Sequence, residues 1–376
     1  MGLFNRKETP IITDVARWPG IESTLQQTLS MAHTECVSDC MPAEWFPQYA
    51  VQITWPDENT DWKPWIEDVT KCYLRIAYEI SAIQRLLITC SDPNSLRNLL
   101  KEKLPQKALE NITLLACRFN DTWIRDYGFI TIFENGDYRL LDFKFNGWGG
   151  KFEASADNAV NKTIFQHHLL RGKYQDEQTF VLEGGSIESD GNGTLLTTSQ
   201  CLLNPNRNPH LDKAHIEDYL LKTLKSRQVL WLDHGYLSGD DTDSHIDTLA
   251  RLCPDNTIAY VKCTDPEDEH HEELQKMERQ LQSFKTLQGE PFRLVALPMA
   301  PRLYDADGMR LPATYANYLI TNRRRILMPT YGDTATDCQA SQALETAFPG
   351  YSVTGIDCRV LVEQHGSLHC STMQYY

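Results

Sequence analysis

Apolar positions along this chain switch repeatedly between two periods. Alternation at Val51, Ile53 and Trp55 predicts a strand, because successive strand side chains face opposite sides. Trp65, Val69, Tyr73, Ile76, Ile80 and Ile83 recur at helical spacing and predict an amphipathic helix that leads into an apolar strand at Leu86 to Thr89. Asp92 before Pro93 opens a further helix, since aspartate accepts from the free N–H groups of a first turn and proline tolerates that position. Ile112 to Ala116 reads as a strand. Gly128 to Phe133 and Tyr138 to Phe143 flank Asn135-Gly136, the signature of a tight hairpin, and a second hairpin joins Gly185 to Ser189 with Thr194 to Thr198. Helices are expected from Ser155 to Leu170, from Asp212 to Leu224, after Pro266 and from Ala335 to Phe348. Strands are expected at Val229 to Leu232, Thr257 to Val261, Arg293 to Leu297, Tyr315 to Ile320, Arg325 to Met328 and Tyr351 to Gly355. Residues 1–41 form an extension in which Ile21, Leu25 and Leu29 recur at helical spacing. Residues 42–376 contain no low-complexity linker and read as one α/β unit.

Composition narrows the class. Of 376 residues, 41% are hydrophobic and 23% charged, an ordinary globular balance with an ample core. No apolar run approaches the roughly 18 residues of a spanning helix, and no apolar stretch follows the charged N-terminus as in a secretory signal, so a cytoplasmic location is expected. The formal charge of −15 argues against nucleic acid as a partner and favours small cations. The 11 cysteines are scattered and imply reduced thiols. Cys36 and Cys40 lack the second ligand pair of a zinc site.

Chemistry concentrates in four polar knots: Asn120 to Gly128, Leu182 to Gly191, Gly239 to Arg251, and Gln364 to Ser371. In the third, GDDTDSHIDTLAR, His245 and Asp247 lie two apart and reach one face of an extended or turning backbone. A histidine that shuttles protons then stands beside an anion. The bland alternative is a polar loop in which Asp243 or Ser244 caps a following helix. Asp126, Glu183, His245, Asp247 and Cys370 together suggest a cysteine nucleophile, an acid/base and carboxylates that clamp a cation. Each has a structural alternative: Cys370 as core, Asp126 paired with Arg125, Glu183 capping a turn. The run Asp268 to Glu273, DEHHEE, is expected to be a solvated helix face and not a metal site, because adjacent helical residues diverge. His369 is set aside as the base because strand neighbours face opposite ways, which would turn it from Cys370.

These residues resemble the agmatine deiminases and the related bacterial peptidylarginine-deiminase-like proteins of the guanidine-modifying superfamily. The likeness spans roughly Pro42 to Gln374 and rests on AEWFPQ, DTWIRDYG, LEGGSI with GTLLTT and NRNP, DDTDSHIDTLAR, LPATYAN and HGSLHC. It implies a five-bladed, pseudosymmetric α/β propeller of the pentein type with a central active site. By motif, Cys370 resembles the nucleophile, His245 the acid/base, Asp126 and Asp247 the guanidinium clamp, and Glu183 the carboxylate beside His245. Trp123, Trp148 and Asn317 are expected in the pocket. The implied reaction is hydrolysis of a small cationic guanidino substrate, foremost agmatine to N-carbamoylputrescine and ammonia, with no metal or organic cofactor.

Three departures bear on the substrate and on the first segment. The first 40 or so residues lie outside the pattern. Phe129 stands where relatives carry proline, with the expected consequence of a shifted Asp126 loop, and Gln364-His365-Gly366-Ser367-Leu368 replaces the agmatine branch's glycine triplet. Arginine and peptidylarginine deimination to citrulline, amidino transfer, and a silent binding protein on the same scaffold therefore stay open. Arg207 and Arg310 are candidates for a carboxylate partner, and homo-oligomerisation is left open.

Overall fold

The structure, a computed structural model, describes residues 38–376. The helix expected around Ile21, Leu25 and Leu29 lies outside the described residues. Five small sheets share one pairing rule. In the first, β1 (Ala50–Thr54), β2 (Arg85–Cys90) and β3 (Ile112–Ala116) run parallel. In the second, β4 (Ile130–Glu134) is antiparallel to β5 (Asp137–Lys144), which is parallel to β6 (Lys173–Val181). The same hairpin-then-parallel order recurs in β7 (Ile187–Ser189), β8 (Thr194–Thr198) and β9 (Gln228–Leu232). It recurs again in β10 (Ala250–Cys253), β11 (Thr257–Lys262) and β12 (Arg293–Pro298), and in β13 (Leu319–Thr321), β14 (Arg325–Thr330) and β15 (Ser352–Asp357). The C-terminal β16 (Met373–Tyr375) returns antiparallel to β1 and supplies the hairpin partner the first sheet lacks. The chain is a five-bladed α/β propeller closed by its own C-terminus.

Each parallel pair needs a crossover, and in every blade a helix provides it. These are Ile66–Ser81, Val160–Gln166, Lys213–Thr223, His271–Ser283 and Thr334–Ala347. In the first, Val69, Cys72, Tyr73, Ile76, Ala77 and Ile80 are buried, the stripe that the spacing predicts. Asp212 and Asp333 cap two others by accepting first-turn N–H groups, and Asp92 does so for Pro93–Lys103. The Asn135-Gly136 hairpin is observed, with both residues at positive φ as this tight turn requires. No helix among the described residues is long and apolar enough to cross a membrane.

Several expectations need correction. Helix Ser155 to Leu170 shrinks to Val160–Gln166 behind a short 3-10 turn, and the strand expected at Tyr315 to Ile320 is only Leu319–Thr321, because Tyr315 to Asn317 turn inward. Three strands escape the pattern: β6 is polar over most of its length before Phe180 and Val181, β10 follows a single 3-10 turn, and β16 spans three residues. The charged helix starts at His271, not after Pro266. Asp268 and His270 thus sit before it and are buried, contrary to a solvated face. His270 bonds Asp268 at 2.7 Å, and Arg302 and Arg310 neutralise the same carboxylate.

Candidate active site

The segments that leave the last strand of each blade meet at the propeller axis. After β3 comes Asp126, after β6 Glu183, after β9 His245 and Asp247, after β12 Asn317, and after β15 Cys370. Blade symmetry thus collects residues from Asp126 to Cys370 at one buried point. Gly185 marks it. A Cβ there would stand 2.7 Å from His245 Nδ1, 2.8 Å from Asp126 Oδ1 and 3.2 Å from Asp247 Oδ2, so three of the candidate side chains occupy the space a larger residue would need.

Asp126 is held on both oxygens: Gly185 N–H donates to Oδ1 at 3.0 Å and Trp148 Nε1–H to Oδ2 at 2.9 Å. Trp148 reaches it from a left-handed backbone (φ 55°), a conformation costing about 1–2 kcal/mol for a residue with a Cβ. Asp243 and Ser244, immediately before His245, are also left-handed, so local strain concentrates around the site. Phe129 is fully buried, edge-on against Tyr174. Arg125 does not pair with Asp126 either, its Nε donating to the carbonyl of His369.

His245 lies 3.5 Å from Asp126 Oδ1 through Nδ1 and 3.7 Å from Glu183 Oε2 through Nε2, neither a hydrogen bond. Both ring nitrogens and Asp247 Oδ1 are buried without a hydrogen-bond partner. Burial disfavours the charged imidazole, but Asp126, Cys201 and Glu183 outweigh it and raise its pKa well above the usual value. Burial, Asp247 and Glu183 push the Asp126 carboxyl up to about 6 against the pull of His245. Burial also opposes the charge on Glu183, yet His245 and Arg207 overcome it and bring the pKa to about 2.

Cys370 Sγ receives Asn317 Nδ2–H at 3.2 Å and lies 3.9 Å from Asp247 Oδ2. Burial together with Asp247 and Asp126 holds its thiol well above the ordinary range. His369 and Cys370 occupy a turn and not the expected strand, and only Cys370 lines the pocket. His369 faces the rear of the site, its Nδ1 2.7 Å from Asp247 Oδ2 and its Nε2 2.7 Å from Glu44 Oε2. Arg251 binds Glu44 at 2.8 Å and also pairs with Glu188. The sequence reading gave no role to Glu44, Arg251 or Cys201. Glu44 and Arg251 stood inside recognised motifs, AEWFPQ and DDTDSHIDTLAR, but nothing local marked them as partners 207 residues apart.

A pocket of about 230 Å³ leads to Cys370. Trp123, Trp148 and Phe152 give it aromatic walls, Asn317 lies at its base, and Asp61, Asp121, Asp240 and Asp241 add carboxylates to that of Asp126. No lysine or arginine lines it. Arg207 instead grips Glu183 at 2.8 Å and Asp243 at 2.7 Å, and Arg310 grips Asp268, so neither proposed carboxylate partner is available to a ligand. Gly366 is needed beside Trp123, since a Cβ there would come within 2.4 Å of the indole.

Five hairpin-and-crossover blades around a buried axial site define a pentein-type propeller. Residues 40–375 match the family described as Porphyromonas-type peptidyl-arginine deiminase, and the chain belongs to it. A protein of Legionella pneumophila named "Putative agmatine deiminase" is 35% identical over 344 residues, covering 89% of this chain and 94% of that one. Among solved structures, a "Putative Arginine Deiminase" from Porphyromonas gingivalis is 46% identical, with a TM-score of 0.83 over 90% of this chain and 98% of its own. The agmatine deiminase of C. jejuni with substrate bound is 39% identical, with a TM-score of 0.82 over 90% and 96%.

Proposed function

We propose that the protein hydrolyses agmatine to N-carbamoylputrescine and ammonia, with residues 42–376 as the catalytic unit. The observation that carries this reading is the pocket's charge: its lining includes Asp61, Asp121, Asp126, Asp240 and Asp241 and, among the described residues, no lysine or arginine. A substrate cationic at both ends suits such a lining, whereas the α-carboxylate of arginine would meet only like charge.

Asp126 and Asp247 grip the guanidinium nitrogens, whose planar forked donors suit carboxylates. The bound cation offsets the carboxylate field that raises the Cys370 pKa, so the thiol ionises once substrate is present. Cys370 Sγ then adds to the guanidinium carbon, His245 protonates one nitrogen, and the C–N bond breaks to release ammonia. The S-alkylthiouronium left on Cys370 is attacked by water, from which His245 takes a proton. The C–S bond breaks, giving the ureido product and the free thiol. Glu183, held by Arg207, steadies the charge on His245.

The 46% identity to the Porphyromonas gingivalis protein favours a second reading, deimination of arginine or a peptidylarginine to citrulline. The test is ammonia and ureido-product formation from agmatine, free arginine and a blocked arginine peptide, with Cys370→Ala as control. Agmatine turned over far faster than the others, and none by Cys370→Ala, supports the first reading. Preference for arginine or the peptide supports the second, and inertness towards all three returns the chain to a silent binding scaffold.

A further inference from the structure

His369 has close charged partners on both ring nitrogens, yet it takes no part in the reaction as proposed. Nδ1 lies 2.7 Å from Asp247 Oδ2 and Nε2 lies 2.7 Å from Glu44 Oε2, both ion-pair contacts with buried carboxylates. A carboxylate accepts and does not donate, so the ring donates to Asp247 from Nδ1, while Nε2 faces both Glu44 Oε2 and, at 3.1 Å, Arg251 Nη2. Its backbone is tied as well: His369 N–H donates to Asn317 Oδ1 at 2.9 Å, and Cys370 N–H donates to the same oxygen at 3.2 Å. Glu44 is anchored in turn by Arg251 Nη2 at 2.8 Å and has Arg125 Nη2 4.0 Å away. A chain of contacts thus runs Asp247, His369, Glu44, Arg251, Glu188, and its first member lies 3.9 Å from Cys370 Sγ.

Asp247 consequently has one oxygen engaged and one unengaged. Oδ2 is taken by His369, while Oδ1 is buried without a partner. We infer that His369 is a positioning residue that fixes the Asp247 carboxylate in its ionised form, with Oδ1 aimed at the substrate's guanidinium. The inference rests on Asp247 being an arm of the clamp, as proposed above. The electrostatics agree: burial raises the Asp247 pKa, but His369 more than reverses it. Asp126, the opposite arm, has His245 Nδ1 no closer than 3.5 Å and is pushed up to about 6. The two arms are therefore unequal, Asp247 held ionised more firmly than Asp126.

The test compares alkylation of Cys370 by chloroacetamidine, a cationic amidine that needs the clamp, with alkylation by neutral iodoacetamide, which does not. Variants are His369→Ala, His369→Asn, His369→Gln and the control Asp247→Asn. An asparagine amide can occupy the place of Nδ1 and a glutamine amide that of Nε2. The expected result is that His369→Ala lowers the amidine-to-acetamide rate ratio roughly tenfold or more, the scale on which orienting partners of a functional group act. His369→Asn keeps more of the ratio than His369→Gln, because the bond to Asp247 is the one that matters. If His369→Ala does not fold, the order of the other two decides. Ratios within twofold of wild type, a higher ratio for Gln than Asn, or an equal fall in both rates would overturn the inference and leave His369 as a scaffold for the turn. Retention of the wild-type ratio by Asp247→Asn would instead remove the clamp reading itself.

Discussion

Two layers of charge lie against each other at the propeller axis and are satisfied in opposite ways. In the rear layer every carboxylate has a close cation: Glu183 with Arg207 at 2.8 Å, Glu44 with Arg251 at 2.8 Å and His369 at 2.7 Å, and Glu188 with Arg251. In the front layer His245 and one oxygen of Asp247 have no hydrogen-bond partner, and Asp126 is hydrogen-bonded only by neutral donors, with His245 3.5 Å away. Both layers contain carboxylates and a histidine, but only the rear one contains arginine. Charges paired inside the fold give position, and those left unpaired are where a ligand completes the structure, because burying an uncompensated charge is costly.

The sharpest break in this comparison is the nucleophile. Cys370→Ala is expected to abolish turnover, by roughly four orders of magnitude or more, with little change in melting temperature. Residual activity within tenfold of wild type would exclude the thiol chemistry.

Behind the site the balance reverses. Arg251→Met strands Glu44 and Glu188 without their shared cation, and a loss of about 3–5 kcal/mol of stability is expected by chemical denaturation. An unchanged midpoint would mean that the rear layer is less tightly paired than its distances say.

Asp126→Asn tests the front layer directly. Guanidine turnover should fall by about two to three orders of magnitude, as when one partner of a buried charge pair is truncated. Stability should not fall in parallel above pH 6, since the folded carboxyl titrates at about 6 against 3.8 for the free group. A raised pKa contributes stability below 3.8 that is lost as pH rises through about 6, so the ionised aspartate opposes folding and its amide does not. A marked drop in melting temperature at pH 7 would place Asp126 with the structural charges.

Acid titration gives the smallest effect. Below about pH 6 Asp126 gains a proton and the clamp loses one arm, so KM for a guanidinium substrate should rise roughly tenfold per pH unit. Saturation kinetics with a flat KM between pH 5 and 7 would show that Asp126 does not carry the binding.

Much of this molecule was legible in the order of its residues. The helix Ile66–Ser81, the Asn135-Gly136 hairpin and the capped helix at Pro93 follow from local period and turn chemistry, which depend on neighbours a few positions apart. The motifs also marked Asp126, Glu183, His245, Asp247 and Cys370, which the fold brings together on the axis. Local pattern failed where burial is set by distant segments. Strand β6 is mostly polar yet pairs with β5, and β16 is too short to announce itself yet closes the propeller on β1.

What the sequence determined by itself was the set of reactive groups and their order along the chain, because glycines and polar knots at strand ends are local features. Which charges are free and which are paired was decided only in the tertiary structure. His369 looked like a bystander to Cys370, and Arg207 and Arg310 looked available to a substrate, until contacts across 325, 24 and 42 residues joined them to Glu44, Glu183 and Asp268. The physical reason is range: propensity acts over one turn or one hairpin, whereas charge compensation in a low-dielectric interior acts between whichever side chains folding brings within a few ångströms.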